Sequence, residues 1–343
     1  MPMNVLIATV QVPFVRGGGE LLAEGLKAAI ARHGHRVDIL TAPFRFSPAA
    51  DIHNTMEWWA SQDLSAYCAG KVDRVIYLKF PCYLATNANA VLWLLHQHRA
   101  YYELWNEKEQ ASSDGVVRCE VIQRDTESLS RIERRFTIAR RVSERLRTFN
   151  GLDSIPLYHP PFGQRLFFSG ESLPYVFSPS RLEPLKRQML LVEAMAMVKG
   201  TIGAVIAGEG GARVALERRI SELSLESRVK LVGRISDQDL RGYYARSRCV
   251  FFGPFDEDYG YVSLEAMLSS RPVITCNDSG GTLEFIVDGV NGRVVEPDPS
   301  AIAKAIDGYA MSPELSIRHG AEGRRIYEDL GIGWDKVVEE LLK

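Results

Sequence analysis

The chain has 343 residues, of which 46% are hydrophobic and 24% are charged, and its formal net charge is −2. This length exceeds what one hydrophobic core usually contains, so we expect a soluble globular protein with two domains. The charge excludes a general attraction to nucleic acid, and five scattered cysteines without a C-x-x-C pair favour reduced thiols over disulfides or a zinc site.

The first half of the chain alternates short apolar runs with helical segments. The runs predict strands at residues 4–9, 37–40, 74–78, 91–95 and 136–138, and the intervening sequence predicts helices at 21–33, up to about 135, and 141–150. This alternation predicts a parallel sheet with helices on both faces. The adjacent Trp58 and Trp59 could lie in the core or on a ligand-facing surface, and we prefer the core.

A glycine loop, Gly17 to Gly19, connects the first predicted strand to the first predicted helix. Glycines let a backbone come close to a ligand, and the N-terminus of a helix offers free N–H groups to phosphate. Gly18 and Gly19 are therefore candidate binding residues. The loop lacks the G-x-G-x-x-G pattern, so a plain tight turn remains the alternative.

Two histidines follow the strand predicted at 91–95, where open α/β sheets bind their ligands. His96 comes directly after the strand and is the preferred site residue, with His98 as the second choice. A structural role is the alternative for both. Because no third ligand is evident, we predict no metal at these histidines.

An arginine-rich segment runs from Arg131 to Arg147, with seven arginines against two glutamates. No aromatic or long apolar face accompanies these charges, so we interpret the segment as solvated helix faces. The alternative is a basic patch that draws the N-terminal domain to anionic lipid or to a phosphorylated acceptor.

The second half of the chain repeats the alternation after a polar linker that ends near Pro174. Strands are predicted at 175–178, 204–207, 229–232 and 249–252, and helices at 188–199, 237–246, 261–270, 302–309, 321–329 and 334–342. Arg181 and Lys186 follow the first of these strands. Two fixed cations suit a leaving diphosphate, whose negative charge grows in the transition state.

Glu257 and Glu265 stand eight positions apart, one on the loop after the strand at 249–252 and one in the helix that follows. Two carboxylates at the carboxyl edge of a parallel sheet can accept hydrogen bonds from two hydroxyl-bearing parts of one extended ligand. The N-terminus of the helix between them suits a phosphate group.

This segment resembles the E-x7-E segment of retaining glycosyltransferase family 4, which has the GT-B fold. The residues that carry the resemblance are Glu257, Gly260, Glu265, Ala266, Met267, Pro272, Val273, Ile274, Asp278, Gly280, Gly281, Glu284, Asp288, Gly289, Asn291, Gly292 and Pro297. The resemblance implies an α/β protein with two Rossmann-like domains whose parallel sheets face each other across a cleft. We expect an N-terminal domain over 1–165, a C-terminal donor-binding domain over 170–325, and a terminal helix within 326–343 that crosses back.

The resemblance also implies roles for the site residues. Arg181 and Lys186 would hold the donor diphosphate, and Glu265 would hold the ribose hydroxyls. Glu257 would hold the sugar hydroxyls together with the backbone of Tyr259, Gly260 and Tyr261. The remaining contacts with the donor would come from Gly18, Gly19, His96, Gly208, Gly233 and Arg234, although simple turns explain the glycines equally well.

The implied activity is retaining, metal-independent transfer of a sugar from a nucleoside-diphosphate sugar to a hydroxyl group. The acceptor would be a carbohydrate, a lipid-linked glycan or a small molecule, as in glycoconjugate biosynthesis. We expect a UDP-sugar before a GDP- or ADP-sugar, and no cofactor. Asp256 and Asp258 form a D-x-D pattern, but the two cations already supply the charge that a metal would bring. A nucleotide-sugar epimerase and an inactive nucleotide-binding protein are the alternatives.

The expected location is the cytoplasm, with peripheral association at the inner face of the membrane as an option. The N-terminus lacks a basic region and a long apolar run, so we expect no signal peptide. No segment reaches the 18 or more apolar residues of a membrane span.

Overall fold

The computed structural model describes residues 1–14, 17–66, 70–106 and 112–343. These residues form two compact units. The first unit comprises Met1–Phe162 together with Gly333–Lys343, and the second comprises Gly163–Ile332. The chain therefore passes from the first unit to the second a few residues before the expected boundary, and it returns to the first unit for its last eleven residues.

Each unit is built from parallel strands connected by helices. The strands are β1 (Asn4–Gln11), β2 (Arg36–Pro43), β3 (Arg74–Tyr77), β4 (Ala90–Leu94), β5 (Arg134–Thr137), β6 (Ile155–Pro156), β7 (Tyr175–Pro179), β8 (Gly203–Ala207), β9 (Val229–Gly233), β10 (Cys249–Phe251), β11 (Val273–Cys276) and β12 (Gly292–Val295). The α-helices are α1 (Gly18–Arg32), α2 (Ala49–Ala60), α3 (Ser112–Ser130), α4 (Arg140–Asn150), α5 (Gln188–Met197), α6 (Arg213–Glu222), α7 (Asp237–Arg246), α8 (Tyr261–Leu268), α9 (Pro299–Met311), α10 (Pro313–Asp329) and α11 (Trp334–Leu342).

The first unit contains a six-stranded sheet in the order β2-β1-β3-β4-β5-β6, with parallel pairing throughout. The central strands are buried on both faces because helices cover the sheet; Ile7 and Ala8 of β1 are fully buried. The terminal helix α11 belongs to this unit. Its Trp334 packs edge-to-face against Trp93 of β4, with the ring centroids 6.3 Å apart.

The second unit repeats this plan with a sheet in the order β12-β11-β10-β7-β8-β9, again fully parallel. Its core is apolar, and Val176, Phe251 and Ile274 are at most 1% exposed. In both sheets the strand order reverses direction near the first strand of the unit, which is where doubly wound sheets form ligand-binding crevices. The predicted α/β class with two Rossmann-like parallel sheets is confirmed.

The expected elements are present, but several of their boundaries differ from the sequence analysis. The helix expected up to about 135 ends at Ser130, and β5 covers Arg134–Thr137 where 136–138 was expected. The helix expected at 321–329 begins at Pro313, because the Ser312 side chain accepts a hydrogen bond from the Leu315 N–H at 3.3 Å. Proline at the first helical position favours the same start.

Other expectations concern single residues. Trp59 is fully buried, as expected, but Trp58 is 39% exposed and the expectation for it was wrong. Cys82, Cys119, Cys249 and Cys276 are free thiols, and Cys68 lies outside the described residues. No helix in the described part of the chain combines the length and apolar character needed to cross a bilayer.

Candidate active site

The predicted site residues lie at the carboxyl ends of strands in both sheets. In the second unit, Arg181 follows β7, Gly208 follows β8, Gly233 ends β9 and Glu257 follows β10. In the first unit, Gly18 and Gly19 open α1 after β1, and His96 follows β4. This edge is where open parallel sheets present loops and helix N-termini to ligands.

Lys186 and Glu257 form an ion pair in the second unit, with 2.5 Å between Nζ and Oε2. Lys186 ends a short 3-10 helix, Pro184–Lys186, and Glu257 lies 71 positions later on the loop after β10. Their side chains are 16% and 18% exposed, so both remain accessible from one side. The pair brings a cation and a hydrogen-bond acceptor together at the sheet edge.

The loop that carries Glu257 is held in place by the segment after β11. The Gly281 N–H donates to the Glu257 carbonyl at 2.7 Å, and the Glu257 N–H donates to the Ser279 carbonyl at 3.3 Å. Gly280 has a φ of 59°, and a Cβ there would lie 2.5 Å from the Glu257 carbonyl oxygen. Only glycine fits this position without displacing the glutamate loop.

Arg187 is a site-supporting residue that the sequence analysis missed. Its guanidinium makes two hydrogen bonds to the Asp278 carboxylate, at 2.6 and 2.9 Å. It also donates to the carbonyls of Gly253 at 2.9 Å and Pro254 at 2.7 Å. These charge-assisted bonds join the segment of Lys186 to the loop of Glu257. Two features of the sequence could have indicated this contact: Asp278 belongs to the glutamate motif, and Arg187 directly follows Lys186.

Glu265 lies in α8, whose N-cap is Gly260. The carboxylate of Glu265 is half-buried and accepts a hydrogen bond from the Tyr244 hydroxyl at 2.7 Å. Burial raises the pKa of Glu265 to about 7, and the bond from Tyr244 offsets part of that effect. Tyr244 is fully buried on α7 and was not predicted. A carboxylate held in this way can accept hydrogen bonds from a vicinal diol.

Arg181 and Arg234 are exposed at neighbouring loops of the same edge. The loop after β8 packs against the loop of Arg181, since a Cβ on Gly208 would lie 1.9 Å from the Ser180 carbonyl oxygen. The Gly208 N–H donates to the Gly233 carbonyl at 2.8 Å. The loops after β7, β8 and β9 therefore form one connected surface.

Two aromatic residues flank the N-terminus of α8. Tyr259 is 3% exposed and packs edge-to-face against Tyr261 and Phe285, at centroid distances of 5.3 and 5.5 Å. Tyr261 is half-buried, and burial raises its pKa. The rings fix the backbone around Gly260, whose N–H groups were the expected sugar contacts.

In the first unit, Gly18 and Gly19 begin α1 beside a partly buried ion pair. Glu20 accepts a hydrogen bond from the Gly17 N–H at 2.8 Å and contacts the Lys79 ammonium at 3.3 Å. Lys79 was not predicted, although it follows β3 at the same edge. The preceding residues Val15 and Arg16 lie outside the described part of the chain.

The structure separates the two candidate histidines. His98 is 5% exposed and lies among aromatic rings, including Phe46 and Tyr101 at centroid distances of 6.2 and 4.7 Å. Burial lowers the pKa of His98 to about 4, so this residue is a neutral core histidine. His96 is half-buried, and its Nδ1 lies 2.7 Å from the Gln97 carbonyl. A carbonyl only accepts, so Nδ1 carries the proton in the neutral ring, with Nε2 as acceptor.

Within the described ranges, one group of side chains has metal-ligating geometry, namely His53, Glu57 and Glu120. His53 and Glu57 are exposed and Glu120 is half-buried; the group lies on α2 and α3 and includes none of the predicted site residues. Arg124 contacts both carboxylates of this group. The cluster is thus an ion-pair network on the helical layer.

The arginines of the segment 131–147 mostly have intramolecular partners. Arg145 is buried and lies 3.2 Å from Glu103, Arg147 contacts Asp153 at 2.8 Å, and Arg141 contacts Glu144 at 3.2 Å. Arg135 donates to the Ile132 carbonyl at 2.6 Å. These contacts favour the structural interpretation of this part of the segment over an open basic patch.

Known proteins resemble this chain in sequence and in fold. Residues 167–325 match the family model described as "Glycosyl transferases group 1". The human alpha-1,3/1,6-mannosyltransferase ALG2 is 30% identical over 165 residues, which are 43% of this chain and 39% of that protein. The match therefore spans less than half the length of this relative.

Solved structures match over nearly the whole chain. Sucrose-phosphate synthase from Thermosynechococcus elongatus superposes with a TM-score of 0.80 and 18% identity, covering 99% of this chain and 97% of the other. The Anabaena protein HepE, solved with UDP and glucose, gives a TM-score of 0.72 and 16% identity, covering 99% and 98%. At these identities the similarity establishes the fold.

Proposed function

We propose that this protein transfers a sugar from a nucleoside-diphosphate sugar to a hydroxyl acceptor, because residues 167–325 match the group 1 glycosyl transferases and the chain has the GT-B fold. The observation that carries the proposal is the Lys186–Glu257 pair at the carboxyl edge of the second sheet. It sets a phosphate-binding cation beside a carboxylate that can accept hydrogen bonds from sugar hydroxyls.

The donor contacts follow from this arrangement. Lys186 and the exposed Arg181 would bind the diphosphate, and Glu257 would bind the hydroxyls of the sugar. Glu265 would accept hydrogen bonds from the two ribose hydroxyls, with Tyr244 holding its carboxylate. The N–H groups at the start of α8 would add positive partial charge near the phosphate. Gly208, Gly233 and Arg234 would lie beside the base.

The chemistry is cleavage of the bond between the anomeric carbon and the diphosphate oxygen. As that bond breaks, positive charge develops on the sugar and negative charge on the diphosphate. Lys186 and Arg181 would stabilise the leaving group more in the transition state than in the ground state. We propose attack by the acceptor from the face that the diphosphate leaves, which retains the anomeric configuration.

We propose that the transfer needs no metal ion or cofactor. Lys186 and Arg181 already supply positive charge where the diphosphate would lie. A UDP-sugar is the preferred donor, in line with the UDP and glucose in the HepE structure, and the acceptor is a carbohydrate or lipid-linked hydroxyl. We place the reaction in the cytoplasm, with the protein free or at the membrane surface.

A donor screen tests the proposal. UDP-, GDP- and ADP-sugars should be compared by thermal shift, and then by release of the nucleoside diphosphate with and without EDTA. We expect one donor class to raise the melting temperature and to be turned over slowly by water, with EDTA making no difference. Interconversion of donor sugars without nucleotide release would identify an epimerase, and binding without turnover of any donor would identify an inactive binding protein.

The pKa of Glu265 gives a prediction on stability. In the folded protein this pKa is about 7, against an ordinary value of 4.5, so the folded state holds the extra proton between these pH values. The free energy of unfolding therefore falls as pH rises through this window, by about 3 kcal/mol at most. Glutamine does not titrate, so Glu265→Gln lacks this contribution. We therefore expect the free energy of unfolding of the variant to rise relative to that of the parent between pH 4.5 and pH 7.

Urea titrations across that pH range would measure the difference in the free energy of unfolding between Glu265→Gln and the parent. Other buried acids such as Asp125 are present in both proteins, so their contributions cancel in this difference. The exposed Glu171→Gln serves as the matched control and should follow the parent at every pH. A constant difference between Glu265→Gln and the parent from pH 4.5 to 7 would contradict the assignment.

A further inference from the structure

A cavity of about 570 Å³ opens at the amino edge of the first sheet, at the opposite strand ends from Gly18 and His96. Arg74 at the start of β3 and Arg134 at the start of β5 line it, together with Arg131 from the preceding turn. Its volume is in the range of small-molecule sites. The cavity uses none of the residues assigned to sugar transfer.

Arg74 and Arg134 point to the same side of the sheet. Val91 of β4 pairs with Ile76 of β3 on one side and with Arg134 of β5 on the other. Because Arg74 precedes Ile76 by two residues, the two arginines are two register positions apart on the strands that flank β4. Side chains separated by an even number of positions lie on one face of a sheet. Burial and the nearby Arg134 both lower the pKa of Arg74, as expected for two cations held side by side.

The three cavity arginines lack anionic partners. Within the described part of the chain, none of them has an ion pair, and Nε of Arg74 and Nη1 of Arg134 are buried without a hydrogen-bond acceptor. Arg74 and Arg134 donate hydrogen bonds to backbone carbonyls of α11, Arg74 to Leu342 at 3.4 Å and Arg134 to Glu340. Carbonyls satisfy donors but do not neutralise two like charges.

Two acidic residues, Asp63 and Glu133, also line the cavity, and within the described residues neither forms an ion pair with these arginines. Asp63 lines the cavity and accepts the Ser65 N–H at 2.9 Å, while Glu133 is exposed. The Glu340 carboxylate lies 2.6 Å from the Lys343 ammonium. Its pKa is lowered mainly by Lys343 and to a smaller extent by Arg134. The cavity lining therefore keeps an excess of positive charge, with three arginines against two acidic residues.

We propose that this cavity binds a small phosphorylated compound, with the phosphate group held between Arg74 and Arg134. Guanidinium groups bind phosphate through two parallel charge-assisted bonds, which is why arginine is favoured over lysine at such sites. Asn87 and Asn89 also line the cavity and offer amide groups to the rest of the ligand. Because both arginines also hold α11, phosphate binding would stabilise that helix on the first unit.

The test uses the full chain with inorganic phosphate as the probe, at constant ionic strength against chloride. Calorimetry should give one binding event that persists in Lys186→Ala, which separates it from the diphosphate site. Arg134→Gln should weaken phosphate binding by about tenfold, and the exposed Arg131→Gln by about threefold. Arg131→Gln keeps both α11 contacts, so it tests the proposal even if Arg134→Gln does not fold.

Arg135→Gln is the matched control, because Arg135 is the next residue on β5, points to the other face and does not line the cavity. Its phosphate affinity should equal that of the parent. Hydrogen exchange should show phosphate-dependent protection in residues 84–90 and 337–343. Parent-like affinity in a folded Arg134→Gln variant, parent-like affinity in Arg131→Gln, or protection confined to residues 181–187 would overturn the proposal.

A second arm distinguishes the source of the phosphate group. Vesicles of phosphatidylcholine with phosphatidic acid present a phosphate group on a lipid. If the lipid phosphate and inorganic phosphate both bind to the cavity arginines, inorganic phosphate should compete with the vesicles. A cavity of about 570 Å³ has room for a free phosphorylated compound, so we expect calorimetric binding of phosphate without vesicle binding. Vesicle binding lost in Arg131→Gln would assign the site to a lipid headgroup and overturn the small-ligand assignment.

Discussion

Replacing Lys186 with alanine should lower the turnover of the donor by roughly 30- to 1000-fold, or about 2 to 4 kcal/mol of transition-state stabilisation. The ammonium would neutralise charge that develops on the departing diphosphate, so its loss affects kcat more than KM. The variant also leaves Glu257 without its partner at 2.5 Å. Steady-state kinetics of nucleoside-diphosphate release measures both parameters.

Lys304→Ala is the matched control for this prediction, since Lys304 is an exposed lysine on α9 of the same unit. It should retain the turnover of the parent. An equal loss in both variants would show a general effect of charge or folding. Full activity in Lys186→Ala would remove Lys186 from the mechanism and leave Arg181 as the only diphosphate cation on the loop after β7.

Replacing Gly208 with alanine should destabilise the second unit by about 3 to 5 kcal/mol. Gly208 has a φ of 135°, and a Cβ there would lie 1.9 Å from the carbonyl oxygen of Ser180. The loops after β7 and β8 would have to separate, which moves Arg181 as well. Urea unfolding measures the stability, and the donor-induced thermal shift should disappear in the same variant.

Gly211→Ala provides a control within the same loop. A Cβ at Gly211 meets no atom within 4 Å, and its φ is outside the strained range. This variant should unfold within about 0.5 kcal/mol of the parent and keep its response to the donor. A similar loss in both variants would mean that the loop as a whole tolerates no side chain, and the specific contact with Ser180 would be refuted.

The predictions on Lys186 and Gly208 depend on different contacts of one surface. Lys186 tests a charge that faces the substrate, whereas Gly208 tests the packing that positions the loop of Arg181. Arg187 stands between these cases, because its bonds to Asp278, Gly253 and Pro254 fix the loop of Glu257 without facing the substrate. Stability and turnover should therefore respond together at Gly208 and separately at Lys186.

The amino-acid sequence alone determined the two parallel sheets and the main site motif. Buried parallel strands are continuous apolar runs, and their ends are marked by glycines and helix starts, so local patterns suffice to place Arg181, Lys186 and Glu257 on loops after strands and Glu265 in the helix that follows. The resemblance to the group 1 glycosyl transferases followed from the same short segments, and the family comparison confirms it.

The tertiary structure decided which of these residues meet. Lys186 pairs with Glu257 across 71 positions and Arg187 with Asp278 across 91, and no periodicity in the sequence encodes such contacts. Burial likewise distinguished His98 in the aromatic core from His96 and revealed Tyr244 behind Glu265. The arginine pair at the opposite sheet edge arises from strand register. These features depend on how distant segments pack, and a local pattern carries no information on that packing.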